Sequence, residues 1–179
     1  MTKHRHSIRL RGYDYSQIGA YFITICAQHR ECLFGEIADG SMVLNDAGKT
    51  VANTWRWLAT QYDYVELDEW GIMPNHMHGI IVITDVCRGG SRTAPTGQRK
   101  PIGRLVGAFK TVSTKRINEI RNTPGATIWQ RNYYEHTIRD DDELNRICEY
   151  IANNPLQWEM DREIPAYGRG GSRTAPTTM

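Results

Sequence analysis

A short apolar run with two histidines at its start places the strongest constraint on this fold. Gly79 to Ile83 is short and rich in β-branched residues, which predicts a buried β-strand preceded by His76-Met77-His78. Residues two apart on a strand point to the same face of a sheet. The imidazoles of His76 and His78 should therefore project side by side, as two ligands of a metal ion.

A helix farther along the sequence carries residues that could complete such a site. Four acids at residues 140 to 143 suit the N-terminus of this helix, and Pro155 is expected to end it. One stripe with the spacing i, i+3, i+4 and i+7 consists of Ile147, Tyr150, Ile151 and Asn154. If this stripe packs on the sheet face that carries the histidines, two imidazoles, one amide oxygen and one phenol would meet.

This set of groups suits metal-assisted phosphoryl transfer. Imidazole nitrogens suit Mn²⁺ or Zn²⁺, whereas an amide oxygen shifts the preference towards Mg²⁺ and Mn²⁺. Three protein ligands leave positions open for substrate oxygens. A phenol, with a pKa of about 10, is a poor nucleophile at neutral pH, but a metal that polarises a phosphodiester makes its attack feasible.

Several motifs, in their order along the chain, resemble one known family. The two most specific are Pro74-Asn75-His76-Met77-His78, before the apolar strand, and Tyr150-Ile151-Ala152-Asn153-Asn154-Pro155. The similarity also includes segments 11–15, 21–26 and 129–139, and it covers residues 8 to 158. By these motifs the chain resembles the REP-associated tyrosine transposases, a group of single-tyrosine HUH transposases.

The resemblance implies a role for each matching residue. Tyr150 would attack single-stranded DNA at a short palindromic hairpin, forming a 5′-phosphotyrosine and freeing a 3′-hydroxyl. His76, His78 and Asn154 would hold the Mg²⁺ or Mn²⁺ that polarises the scissile phosphate. Rejoining would reverse this step without ATP, and the sequence contains no GxxxxGK phosphate loop.

The segment before the tyrosine helix holds other candidates. Tyr133 and Tyr134 are expected to pack in the sheet or to stack on unpaired bases rather than to act as nucleophiles. His136 could be a third ligand or lie behind the metal ligands, although a structural histidine is the simpler interpretation. Trp129 is expected in the core.

Positive charge is concentrated in two stretches. Residues 88 to 121 hold nine basic residues and one acid, and residues 1 to 12 hold four basic residues and no acid. Such clustering is the electrostatic pattern of phosphate contacts. The predicted DNA contacts are Arg9, Arg11, Arg104, Lys110, Lys115 and Arg116.

Composition favours one domain inside the cell. The 179 residues are 40% hydrophobic, enough for one core, and no apolar run reaches the roughly 20 residues of a membrane span. Residues 1 to 160 are predicted to form a single domain with a flexible basic linker at about 86 to 100, followed by a flexible tail at 161 to 179. The expected location is the cytoplasm, and both a monomer and a homodimer are compatible with the sequence.

Hydrophobic periodicity predicts the order β-α-β-β-α-β followed by a final helix. Besides the histidine strand, strands are expected at 21–27, 65–73 and 133–138, with a small hairpin between the first strand and the first helix. Asn45 should cap that first helix, and Pro101 should open the second. The apolar face of the second helix is predicted to be Leu105, Val106, Phe109, Val112, Ile117 and Ile120. This order indicates a ferredoxin-like α+β fold with helices on one face, plus a C-terminal helix that carries Tyr150.

A nine-residue segment, Arg-Gly-Gly-Ser-Arg-Thr-Ala-Pro-Thr, occurs unchanged at 88–96 and at 169–177. Its composition predicts flexible segments. Because the Gly-Gly and Ala-Pro codons can be reverse complements, the copies are interpreted either as translated palindromic DNA elements or as basic linkers. The codons of the gene distinguish these two hypotheses.

Two other functions are compatible with part of the pattern. A catalytically inactive or domesticated module of the same fold would bind hairpin DNA without forming a covalent adduct. A different His-dependent phosphohydrolase is disfavoured, because Ile80 stands where a histidine triad needs a further His. The segment His136-Thr137-Ile138 is likewise a poor match to the second His-x-Thr motif of two-histidine phosphodiesterases.

Overall fold

The computed structural model describes residues 16–85 and 99–163. Six strands and three helices follow one another along these residues, with a short 3-10 turn at Gln28–Arg30 after the first strand. The strands are β1 Gly19–Cys26, β2 Gly35–Ala38, β3 Ser41–Leu44, β4 Val65–Met73, β5 His76–Ile83 and β6 Tyr134–Ile138. The helices are α1 Asp46–Gln61, α2 Ile102–Arg121 and α3 Asp141–Glu163.

Four of the strands form an antiparallel sheet in the order β4-β5-β1-β6. The histidine strand β5 lies inside this sheet, between β1 and β4. Strands β2 and β3 pair separately as the small hairpin. With one helix in each crossover, this is the ferredoxin-like arrangement, so the predicted fold class is confirmed.

Helices α1 and α2 cover one face of the sheet. Asn45 caps α1 as predicted, because its side chain accepts a hydrogen bond from the Gly48 N–H at 3.0 Å. Trp55 of α1 lies directly on Gly79 of the histidine strand, where an added Cβ atom would be 2.4 Å from the indole. This close approach requires glycine at position 79, because any larger residue would have to displace the indole.

Helix α3 packs on the opposite face. It buries Ile147 and Ile151 against Phe22 of β1 and Ile80 of β5. Side chains alternate along β5, so His78 and Ile80 face α3 while their neighbours in sequence face α1 and α2. The helix with the candidate nucleophile therefore lies on the histidine face of the sheet.

Helix α3 begins where the sequence predicts and ends later. Asp140 caps it by accepting a hydrogen bond from the Glu143 N–H at 2.8 Å. The prediction that Pro155 ends the helix is wrong, because Pro155 lies inside it and the helix continues to Glu163. A proline removes one backbone hydrogen bond and disfavours, without forbidding, a helical residue before it. Buried Asn154 and the ring contact of Trp158 with the sheet hold the helix on both sides of the proline.

One residue of the predicted apolar face of α2 is exposed. Ile120 has a relative exposure of 55%, so its assignment to the core is wrong. The buried stripe recurs every four residues from Leu105 through Phe109 and Ser113 to Ile117, which leaves Ile120 outside it. A polar residue, Ser113, takes the interior position that the predicted pattern left empty.

Some predictions lie outside the described residues. They concern Arg9, Arg11, both copies of the repeated segment, the linker as far as residue 98 and the tail from residue 164. Residues 161–163, which were assigned to the tail, belong to α3. Within residues 16–85 and 99–163, no helix has the length and apolar character needed to cross a membrane.

Candidate functional site

His76 and His78 open strand β5 directly after the turn at Pro74-Asn75. Their imidazole centroids are 4.5 Å apart, and their Nε2 atoms are 2.9 Å apart. His78 is buried and His76 is half-buried. The Nε2 atoms of both histidines thus point at one position on the α3 face of the sheet.

The orientation of His76 is set by Asn75. The Asn75 Nδ2 donates a hydrogen bond to the carbonyl oxygen of Arg30 at 3.2 Å, and a carbonyl oxygen can only accept. The Oδ1 of the same amide therefore faces His76 Nδ1, at 2.7 Å, and Nδ1 carries the proton. The lone pair of His76 is left on Nε2, the atom that faces His78.

Strand β1 holds His78 in place. Thr24 is its register partner, and the Thr24 Oγ1 lies 2.8 Å from His78 Nδ1. Phe22 stacks on the imidazole with a centroid distance of 5.6 Å and an interplanar angle of 18°. A hydrogen-bonded Nδ1 is the usual arrangement behind a histidine that binds metal through Nε2. Nε2 of His78 accordingly points to the centre of the site.

Helix α3 brings two more groups to the same atom. The Tyr150 hydroxyl lies 3.4 Å from His78 Nε2, and the Asn154 amide nitrogen lies 3.2 Å from it. Tyr150 and Asn154 are four residues apart and lie on one helical face. The structure therefore brings together all four residues that the sequence singled out, and it does so within a single chain.

Burial keeps both imidazoles neutral. It lowers the pKa of His76 to about 4, with a smaller contribution from the positive charge of Arg30. It also lowers the pKa of His78 well below its usual range, and the adjacent His76 adds to this effect. Neutral imidazole is the form that binds metal. Burial raises the pKa of the Tyr150 hydroxyl, against the opposing hydrogen bond of Asn154, so the phenol holds its proton at neutral pH.

The donor set fits a divalent cation. Because Nδ1 of His76 carries the proton, its Nε2 has a lone pair that faces Nε2 of His78 at 2.9 Å. Two nitrogen atoms this close are favourable when a proton or a cation lies between them. A half-turn of the Asn154 amide places its oxygen where the nitrogen now is, without a change of shape. In the part of the chain that the structure describes, no group of three or more His, Cys, Asp and Glu side chains is placed to hold a metal. Two imidazoles and one amide oxygen suit Mn²⁺ or Mg²⁺ and leave positions for substrate oxygens.

The other candidates of the same segment have different contacts. His136 Nε2 is 2.7 Å from a carboxylate oxygen of Glu143, at the start of α3. Tyr134 meets the edge of Phe22 at 6.2 Å, and the Tyr133 hydroxyl donates to Glu135 at 2.6 Å. His136 therefore connects β6 to α3 rather than backing the metal ligands. Trp129, predicted in the core, is 4% exposed and is buried there.

Lys110, a predicted DNA contact, is engaged within the protein. Its Nζ lies within hydrogen-bond distance of three successive backbone carbonyls, those of Gln130 at 2.8 Å, Arg131 at 3.2 Å and Asn132 at 3.3 Å. It also lies 5.4 Å from the centre of the Tyr133 ring. Burial lowers the pKa of Lys110 to about 8. Its ammonium group thus fixes the segment that leads into β6.

The remaining basic residues of α2 lie away from the histidines. Arg104 is exposed and lines an open groove of about 830 Å³ with Arg99, Lys100 and Tyr62. Lys115 is exposed, and Arg116 donates to Thr54 at 3.4 Å. Because α2 covers the opposite face of the sheet, these cations are not brought to the candidate site.

Three residues near the site were missed from the sequence. Thr24 is placed by the pairing of β1 with β5, for which no local signal exists. Arg30 is placed by an unusual backbone turn. Trp158, whose ring centroid is 5.8 Å from that of His76, continues the helical face of Tyr150 and Asn154. Its spacing could have identified it, but the expected end of the helix at Pro155 excluded it.

Comparisons with known proteins identify a relative by sequence and similar folds among solved structures. No protein-family model matches the chain. A Haemophilus influenzae protein, named "Uncharacterized protein", is 42% identical over 168 residues, which cover 89% of this chain and 92% of that protein. The solved structure of a REP-associated tyrosine transposase bound to a REP hairpin superposes with a TM-score of 0.58 at 19% identity and covers 88% of this chain and 74% of that one. The chain therefore belongs to the family of the Haemophilus influenzae protein, and it has the fold of a REP-associated tyrosine transposase.

Proposed function

We propose that this protein is a divalent-metal-dependent transposase that cleaves and rejoins single-stranded DNA at short palindromic hairpins through a 5′-phosphotyrosine. One observation carries the proposal: the Tyr150 hydroxyl and the Asn154 amide lie within 3.4 Å of His78 Nε2, which is itself 2.9 Å from His76 Nε2. The proposed nucleophile and the three proposed metal ligands thus lie together. The fold in common with a transposase solved on a REP hairpin supports hairpin DNA as the substrate.

The chemistry of the proposed reaction is a transesterification. A Mg²⁺ or Mn²⁺ held by His76, His78 and Asn154 would act as a Lewis acid on a phosphate oxygen. The Tyr150 oxygen forms a bond to phosphorus and loses its proton, while the bond from phosphorus to the 3′-oxygen breaks and that oxygen takes up a proton. The products are a 5′-phosphotyrosine and a 3′-hydroxyl. Attack by another 3′-hydroxyl reverses the reaction and rejoins DNA without ATP.

Tyr150 itself explains why the reaction would need a metal. Because burial raises the pKa of its hydroxyl, the phenolate is scarce at neutral pH without a cation nearby. His76 and His78 are neutral, hold their Nε2 lone pairs towards the site, and are kept in place by Asn75 and Thr24. The chain therefore supplies a rigid pair of ligands beside a protonated nucleophile.

The test uses labelled hairpin oligonucleotides, with single-stranded extensions, taken from DNA that flanks the gene. With Mn²⁺ or Mg²⁺, the wild type should give an SDS-resistant protein–DNA band, and EDTA should abolish it. Tyr150→Phe should give no band. Tyr134→Phe is the matched control, because Tyr134 lies on the same face and also meets the edge of Phe22.

Two results would contradict the proposal. A band of undiminished intensity from Tyr150→Phe would mean that another residue is the nucleophile. In the other contradicting result, the wild type and Tyr150→Phe both bind the hairpin tightly and give no covalent band with any metal. This result would indicate a binding module that has the fold but no catalytic activity.

A further inference from the structure

Helix α3 presents an aromatic side chain beside the metal-ligand pair. Trp158 follows Tyr150 and Asn154 at a spacing of four residues, so all three lie on one face of the helix. Its ring centroid is 5.8 Å from that of His76, with an interplanar angle of 43°. Trp158 is half-buried, so part of the indole surface is open to solvent next to the site.

The turn after β1 comes to the same histidine from another side. His29 and Arg30 both have left-handed backbone conformations, with φ values of 54° and 56°. For residues other than glycine this conformation is unfavourable, and it persists only where the surroundings enforce it. Here the Arg30 N–H donates to the Ala27 carbonyl at 3.0 Å, and the Arg30 carbonyl accepts from Asn75 at 3.2 Å. The backbone of Arg30 is thus fixed against Asn75, the residue that precedes His76 in the sequence.

The side chain of Arg30 is available for a ligand. It is exposed, and no carboxylate of residues 16–85 and 99–163 forms an ion pair with it. The turn that carries it is tied to the start of the histidine strand, because the Ala27 N–H donates to the Asn75 carbonyl at 2.8 Å. Both His76 and Cys26 lie at the site end of the sheet, where they are register partners. Arg30 therefore lies at the end of the sheet where the phosphate of a substrate would lie.

We propose that Trp158 and Arg30 form a subsite for one unpaired nucleotide next to the scissile phosphate, with its base stacked on the indole and its phosphate on the guanidinium. An indole face accepts any base, and a guanidinium pairs with phosphate oxygens through two hydrogen bonds. The inference rests on the proposed function, since it names the part of the DNA that this site holds. It assigns recognition of the single strand to residues that do not take part in the chemistry.

The test measures binding rather than cleavage, in a Tyr150→Phe background with EDTA, so that neither chemistry nor metal contributes. Hairpins with single-stranded extensions carry one abasic site at each unpaired position in turn. At one position, loss of the base should weaken binding to the background protein by about 10-fold, which corresponds to stacking of one base. The same abasic site should have no further effect in Trp158→Ala, while Trp158→Phe should keep most of the binding.

A parallel series places a neutral methylphosphonate at each unpaired position. One such change should weaken binding to the background protein several-fold and have no further effect in Arg30→Ala. The matched controls are Trp57→Phe and Arg56→Ala, both on α1 of the opposite face and outside the basic stretches, and both should leave every binding constant within about 2-fold. Circular dichroism melting of each variant establishes that it is folded.

The outcomes separate this inference from the proposed function. The subsite is overturned if, at every position, the loss of affinity caused by the abasic site adds to the loss caused by Trp158→Ala. It is also overturned if Trp158→Ala changes Mn²⁺ affinity and leaves DNA binding unchanged, because Trp158 then merely covers His76. The wild type could form no covalent band while one abasic site has no further effect in Trp158→Ala and one methylphosphonate has none in Arg30→Ala. In that case the subsite stands and the catalytic proposal fails.

Discussion

The two faces of the central sheet differ in what they bury. The face under α1 and α2 buries apolar side chains such as Trp55, Phe109 and Ile81, each with 0% exposure. The face under α3 has a small apolar cluster, and next to it the polar side chains of His78 and Asn154 are also buried. Burial of apolar area stabilises a fold, whereas burial of imidazole and amide groups costs free energy unless partners satisfy them. The first face thus holds most of the apolar core, and the second holds polar groups whose burial depends on the hydrogen bonds of His78 with Thr24 and Asn154.

The sharpest test of this difference is His78→Asn, which acts on the site face. Loss of a ligand nitrogen should lower Mn²⁺ affinity at least 100-fold and covalent band formation about 1,000-fold, equivalent to about 4 kcal/mol of barrier. Because the cost of burying the imidazole is removed as well, the melting temperature in EDTA should change little. Calorimetric titration with Mn²⁺, the band assay and thermal melting measure the three effects. A large fall in melting temperature with unchanged metal affinity would show that His78 is structural.

On the other face, Gly79→Ala should have the opposite pattern. The new Cβ would be 2.4 Å from the Trp55 ring, and overpacking of this kind costs about 1–3 kcal/mol. Urea denaturation measures the loss. Gly107→Ala is the matched control, because no atom lies within 4 Å of its added Cβ and alanine favours a helix. Equal stability of the two variants would contradict the close contact of Trp55 with β5.

A smaller effect is expected at Asn75, which orients a ligand without being one. Asn75→Ala removes the acceptor that fixes the proton on His76 Nδ1. Loss of such a partner typically lowers metal affinity by about 10- to 100-fold. Titration with Mn²⁺ measures it, and the ¹⁵N chemical shifts of His76 should show a mixture of tautomers. If the Asn75→Ala variant kept His76 entirely in the Nδ1–H tautomer, Asn75 would not be the residue that fixes this tautomer.

Without metal, the stability of the protein should itself depend on pH. The pKa of His76 is about 4 in the fold and about 6.5 when unfolded, so between these values the unfolded chain binds a proton that the folded chain does not. The free energy of unfolding should therefore fall as the pH drops from 6.5 to 4, by about 3 kcal/mol for His76 at about 1.4 kcal/mol per pKa unit, and His78, whose pKa burial also lowers, should add to the fall. Urea denaturation in EDTA at several pH values measures this slope. His76→Gln should reduce it, and an unchanged slope would assign it to other groups.

Much of the fold could be predicted because its signals are local. The cap at Asn45 and the β-branched run that ends at Ile83 each depend on a few neighbouring residues. The two errors have a common cause: both Pro155 and Ile120 were assigned by local rules. The contact of Trp158 with His76, on the far side of Pro155, holds α3 on the sheet, and the buried stripe of α2 passes through Ser113 and Ile117 and leaves Ile120 exposed. Which positions are buried depends on the sheet beneath each helix, which the neighbouring sequence does not specify.

The sequence by itself determined the chemical groups and their spacing: two imidazoles two residues apart on a strand, and a phenol and an amide four apart on a helix. Backbone geometry makes each pair share a face wherever it is placed. Only the tertiary structure decided that the two faces meet, that α2 with its cations lies on the other side of the sheet, and that Trp158 lies beside His76. The physical reason is that sheet register and helix docking depend on contacts between residues far apart in the chain, which no short segment specifies.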